Sequence, residues 1–105
     1  MILYNVTVSL DESIHTDWLN WMKETHIPDV MATGCFTENR MLRMLNEEAD
    51  GITYAMQYLA KDMETYERYQ RDFAPALQQH YKDRYEGKFA AFRTILELVD
   101  HTVIS

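Results

Sequence analysis

Cysteine is almost missing from this sequence: Cys35 stands alone in 105 residues. No internal disulfide can form, and the chain suits a reducing cytoplasm. Glycine and proline are scarce too, at three and two residues, so neither a linker nor a low-complexity segment is expected. Clean apolar runs extend for only a few residues, too short for a membrane helix. The N-terminus has no basic stretch followed by an apolar one, so no secretory signal is expected. Basic side chains number 10 against 17 acids, giving a net charge of −7. A nucleic-acid binder needs a basic face to displace counterions from phosphates, and the scattered Lys and Arg here cannot form one. An anionic membrane surface is disfavoured on the same ground. The four histidines form no H-x-H, HExxH or Cys-paired pattern, so no metal is expected. Neither a Gly-rich phosphate loop nor a G-x-S-x-G elbow appears, and no cofactor is expected. The length suits one domain spanning 1–105 and is too small for two.

What is present is strong patterning. "ILYNVTVSL" alternates Ile2, Tyr4, Val6, Val8 and Leu10 against Leu3, Asn5, Thr7 and Ser9, the period of a half-buried strand. Ser13 is a candidate cap for the helix that follows, in which Ile14, Trp18, Trp21, Met22 and Thr25 share an apolar side. Pro28 removes a backbone donor, so the helix must break near Thr25 or His26 and restart over 28–32. Gly34 then supplies a left-handed terminator. "CFTENRMLRML" reads as a strand with imperfect alternation and a bulge. "NEEADG" reads as an acidic turn with Asp50-Gly51 as its hairpin signal. "ITYAMQYLA" is a clean strand with Ile52, Tyr54, Met56 and Tyr58 on one face. Asp62 can cap a second helix carrying Tyr66, Tyr69, Phe73, Leu77, His80 and Tyr81, with a break expected between Asp72 and Pro75. Gly87 closes it, and "KFAAFRTILELVD" forms the last strand.

The order β-α-β-β-α-β predicts an α+β, ferredoxin-like fold: a four-stranded antiparallel sheet with two interrupted helices on one face. The even-numbered faces of the first, third and fourth strands carry the large apolar residues and are expected under the helices. The opposite face would then show Leu3, Asn5, Thr7, Thr53, Ala55, Gln57, Leu59, Phe89, Arg93, Ile95 and Val99. Its apolar content predicts a homodimer through this sheet face, although scattered apolar residues on a solvated face are also common.

Several stretches carry a resemblance: "YNVTV", "W..WM...HIP....TG.F", "GITY..QY", "Y.....PAL...H" and "KF.AFRT.LE". With the short chain and the element order, these resemble the dimeric α/β-barrel superfamily, ferredoxin-like chains whose sheets pair face to face. Within it the chain is most similar to a group of uncharacterised bacterial proteins. The superfamily includes cofactor-independent monooxygenases, small isomerases and dehalogenases, haem-degrading enzymes and binding proteins, so the resemblance implies a fold and no particular reaction.

His26 is the leading candidate for chemistry. The resemblance implies that the helix break turns the "HIP" region towards the space between helices and sheet, where an imidazole can move protons. The plainer use is a histidine that caps carbonyls freed at a helix end. His80, five residues after Pro75, could converge on the same cavity or simply sit satisfied in the core. Trp18, Trp21, Met22, Tyr54, Tyr58, Tyr69 and Phe73 could line a pocket for a flat apolar ligand, or be core. Arg93 and Glu97, like Arg40, Arg43 and Glu38, are expected in cross-strand salt bridges. Cys35 has no basic neighbour in sequence and is not expected to be a nucleophile. Three functions follow: a small cytoplasmic dimer that binds a small apolar or aromatic molecule between helices and sheet; a cofactor-independent monooxygenase or isomerase with His26 as acid/base; or an assembly subunit with no ligand.

Overall fold

The computed structural model describes residues 1–46 and 51–104. Four strands form one sheet: β1 (Ile2–Leu10), β2 (Glu38–Arg43), β3 (Thr53–Ala60) and β4 (Phe89–Glu97). Their order is β2-β3-β1-β4, and every neighbouring pair is antiparallel. Each βαβ unit is split by a strand of the other, so β1 and β3 occupy the centre. This is the ferredoxin-like arrangement that the pattern predicts. The register of β2 on β3 runs without interruption from Glu38 opposite Leu59 to Arg43 opposite Tyr54, so the expected bulge is absent from the paired residues. The expected acidic turn over 46–51, with Asp50-Gly51 as its signal, has its centre at 47–50, outside the described residues.

The first helical region opens with a 3-10 turn, Glu12–Ile14, and continues as α1 (His15–Trp21), a π turn over Met22–His26, and α2 (Ile27–Ala32). Asp11 caps its start, accepting from the Ser13 amide at 2.9 Å; Ser13 is the donor, not the cap. Gly34, at φ +75°, ends it. The second region is α3 (Met63–Asp72) and α4 (Ala74–Tyr85), broken at Phe73. Asp62 caps α3 through the Thr65 amide at 2.8 Å.

Trp18, Met22 and Val30 from the first helical region, Val8 from β1 and Met56 from β3 are essentially inaccessible to solvent. Phe36 joins Tyr4, Tyr58 and Tyr69 in an aromatic cluster, its ring 4.7 Å from that of Tyr69 and 5.2 Å from that of Tyr58. Such offset and edge contacts add stability beyond burial alone.

The face assignment of β4 differs from expectation. Val6 pairs with Arg93, Val8 with Ala91 and Tyr4 with Ile95, so the odd-numbered residues of β4 share the helix side with the even residues of β1. Phe89, Ala91, Arg93 and Ile95 therefore face the helices, and Phe92 and Leu96 face away, at 64% and 43% exposure. Alternation alone gives two equivalent faces; the register with the central strand chooses between them. The outer face has a polar centre, where Gln57 donates to Asn5 (3.4 Å) and Asn5 donates to Thr7 (3.1 Å). Leu3, Leu42, Leu59, Phe92 and Leu96 surround that centre.

Candidate functional site

A cavity of about 160 Å³ lies between sheet and helices. Its floor is sheet: Tyr4, Val6 and Val8 from β1, Met56 and Tyr58 from β3, Phe89, Ala91 and Arg93 from β4. Its roof is helix: Met22, His26 and Val30 on one side, Tyr69, Leu77, Gln78, Tyr81 and Lys82 on the other.

His26, which lines this cavity, ends the π turn of the first helical region. Pro28 has no amide hydrogen to give to the Glu24 carbonyl, and it sits in the first turn of α2, where that loss is tolerated. In the π turn ahead of it the Ile27 amide bonds back to the Met22 carbonyl. His26 lies four residues after Met22, so the two share a face of the helical region, and both line the cavity. The imidazole stacks on Trp21 (ring centres 5.0 Å apart, 27° between planes) and meets the edge of Tyr81 (5.3 Å, 83°). No described residue hydrogen-bonds the ring. Burial lowers its pKa to about 4; Asp29 opposes that shift and His80 adds to it. The group is therefore a neutral imidazole at neutral pH. It can accept or donate one hydrogen bond at the cavity wall, but it is a weak proton acceptor there.

Of the predicted ligand-lining residues, Met22, Tyr58 and Tyr69 line the cavity, and Trp18, Trp21, Tyr54 and Phe73 do not. Trp18 is fully buried and its indole N–H donates to the Tyr81 hydroxyl, so its polar tip is satisfied inside the core. Trp21 turns outward, between His26 and the edges of Tyr81 and Tyr85. Tyr54 exchanges a 2.7 Å hydrogen bond with His15. Phe73 packs on the core at the break between α3 and α4.

His80 does not share the inner cavity. The buried stripe of α4 runs Ala74, Tyr81, Tyr85, and His80 sits one residue, about 100°, away from Tyr81. It is exposed, in a shallow outer groove with Trp21, Asp29, Asp83 and Arg84. His26 lines this groove as well as the inner cavity, so the imidazole stands in the wall between them.

The sequence missed the polar side of the cavity. Tyr58 and Tyr69 line it, and no described residue hydrogen-bonds either hydroxyl; burial raises both phenol pKa values, so both remain protonated donors. Arg93 sits at the mouth and donates to the Tyr4 hydroxyl at 3.0 Å instead of forming the expected cross-strand salt bridge. Among the described residues the ion pairs are Arg71–Asp72 and Arg84–Asp17, both exposed. The fold also brings the Arg68 guanidinium to 3.5 Å from the buried Cys35 sulfur, a neighbour 33 residues away in sequence. No group of three or more His, Cys, Asp or Glu among the described residues is arranged to hold a metal ion. No helix of the described residues is long and apolar enough to cross a membrane.

Residues 1–99 match the family described as a domain of unknown function (DUF4286). The chain belongs to this family. A search of the curated proteins found no match. Among solved structures, this DUF4286 chain is similar to an ethyl tert-butyl ether D (EthD) family protein from Bacillus halodurans, at 14% identity and a TM-score of 0.69, covering 94% of this chain and 100% of that one. It is similar to a MhuD mutant with two manganese protoporphyrin IX molecules bound per active site, at 13% identity and a TM-score of 0.73, covering 98% and 99%. A dimeric ferredoxin-like protein from an uncultured marine organism matches at 10% identity and a TM-score of 0.70, covering 99% and 100%. At such identities the likeness is one of fold; ligand and reaction do not transfer with it.

Proposed function

We propose that this protein is a small cytoplasmic homodimer that binds a small apolar or aromatic molecule between helices and sheet. The carrying observation is the cavity itself. Its walls are mainly aliphatic and aromatic, yet His26, Tyr58 and Tyr69 bring polar groups to it that meet no hydrogen-bond partner among the described residues. None of these atoms is sealed away from the cavity space, so each is free to pair with a molecule that enters it, which fits an apolar pocket with a few convergent polar groups. The volume of about 160 Å³ sets the scale. Roughly 150 Å³ of apolar cavity accepts a benzene ring.

The dimer would form through the outer sheet face, where Phe92, Leu96 and Leu42 are large, apolar and uncovered. A dimeric ferredoxin-like protein of the same fold is consistent with dimerisation as such; the choice of face rests on these apolar residues. The second reading, an enzyme with His26 as acid/base, is favoured by the position of the imidazole on the cavity wall. Its lowered pKa makes it a poor base near neutrality, and binding is therefore placed first. A purely assembling subunit would have no use for the polar side of the cavity.

Isothermal titration with toluene and p-cresol tests the binding reading. Saturable binding is expected in the wild type, and its loss in Ala91→Phe, which fills the cavity from the edge strand. Circular dichroism confirms that the variant keeps its fold. Binding of neither compound, or binding untouched by Ala91→Phe, would remove the proposal.

A further inference from the structure

The mouth of the cavity carries positive charge, in a chain whose net charge is −7. Arg93 reaches it from β4 and Lys82 from α4. Neither has a carboxylate within ion-pair distance among the described residues. Arg93 is a charged residue on the helix side of the sheet, between Ala91 and Ile95, where an aliphatic side chain would complete the wall. One plain use of such a residue is to let its stem pack while its head reaches water. Its hydrogen bonding points further. Its Nε donates to the Tyr4 hydroxyl at 3.0 Å, which fixes the guanidinium at the cavity edge. Four N–H donors are left over, together with the Tyr4 proton. Its charge acts on Tyr66, Tyr69 and Tyr81, so its field extends into the cavity and not only outward.

We infer that the occupant is a small amphipathic carboxylate, with its apolar or aromatic body in the cavity and its carboxylate at the mouth between Arg93 and Lys82. The planar guanidinium fork matches a carboxylate in two parallel hydrogen bonds, and Lys82 adds a flexible point charge from the opposite wall. Gln78, on the Lys82 side, offers an amide to the same group. The opposite end of the ligand would meet the neutral groups, His26 and Tyr58. This deepens the binding reading and rests on it.

The test compares benzoate with benzamide, which have the same shape and differ in charge, by isothermal titration at low and high salt. Wild-type protein is expected to bind benzoate about tenfold more tightly than benzamide at low salt. Salt should shrink that ratio. Arg93→Gln should bring the ratio close to one, and Lys82→Gln should reduce it by less. Both substitutions are at exposed positions, and circular dichroism confirms the fold. Equal affinities in the wild type, or a ratio unchanged in Arg93→Gln, overturn the inference while leaving a pocket for aromatic molecules. Binding of neither compound, alongside a negative toluene and p-cresol titration, would sink the underlying reading as well.

Discussion

Acid should destabilise this protein through His26, and the size of the effect follows from its surroundings. Burial among Trp21, Tyr81 and the cavity wall lowers its pKa from 6.5 to about 4. Asp29 pulls the other way, and the outer groove adds His80, Asp83 and Arg84 to the charges near the ring. Because the folded value is the lower one, the unfolded chain takes up the proton first. The stability associated with a neutral His26 is complete above pH 6.5 and is lost as the pH falls towards 4. The full difference amounts to about 3 kcal/mol, of which about 2 kcal/mol is lost between pH 7 and pH 5. These are upper values, since the ring keeps an edge towards the groove and its water. A loss of that size is a sizeable share of the stability of a small domain. Urea titrations followed by far-UV circular dichroism at both pH values measure it, at fixed protein concentration. Carboxylates titrate in the same range, so His26→Leu serves as the reference: its stability should fall by about 2 kcal/mol less over the same interval. If wild type and variant lose the same amount, the imidazole is not held neutral by burial, and its placement in the cavity wall is wrong.

Phe92→Asp should convert a dimer to a monomer in sedimentation velocity, because it would bury an unpaired carboxylate at the proposed interface. Ile95→Asp, on the helix side, should leave association intact; a wild-type monomer at micromolar concentration, or a dimeric Phe92→Asp, would refute the sheet-face dimer. Gly34→Ala should cost about 1 kcal/mol in urea denaturation, since the residue sits at φ +75° and an added Cβ meets nothing within 4 Å, leaving backbone strain as the whole effect. A neutral substitution there would mean that the left-handed turn ending α2 relaxes freely.

The element order, the break before α4 and the Asp62 cap are legible in the sequence, because each rests on local physics; at Pro28 the helix does not break as expected but continues through a π turn. Strand and helix periods differ, proline lacks a donor, and a carboxylate three residues ahead of an amide can cap it. Proline explains why an interruption is expected near His26, but its form, a π turn over Met22–His26 leading into α2, is not given by the sequence. Where side chains end up relative to other elements is not local. Alternation in β4 leaves two faces open, and only its register on β1 sends Arg93 inward and Phe92 outward. Spacing puts His80 near an apolar stripe, but the restart of α4 after Phe73 sets the stripe on Tyr81 and leaves His80 outside. Trp18 and Tyr54 carry polar tips that could face a ligand; tertiary contacts with Tyr81 and His15 satisfy them elsewhere. Sequence alone therefore determined the fold and the region of the cavity. Which side chains enter that cavity, and the charge at its mouth, were decided by strand register and helix phase, which exist only once distant segments pack together.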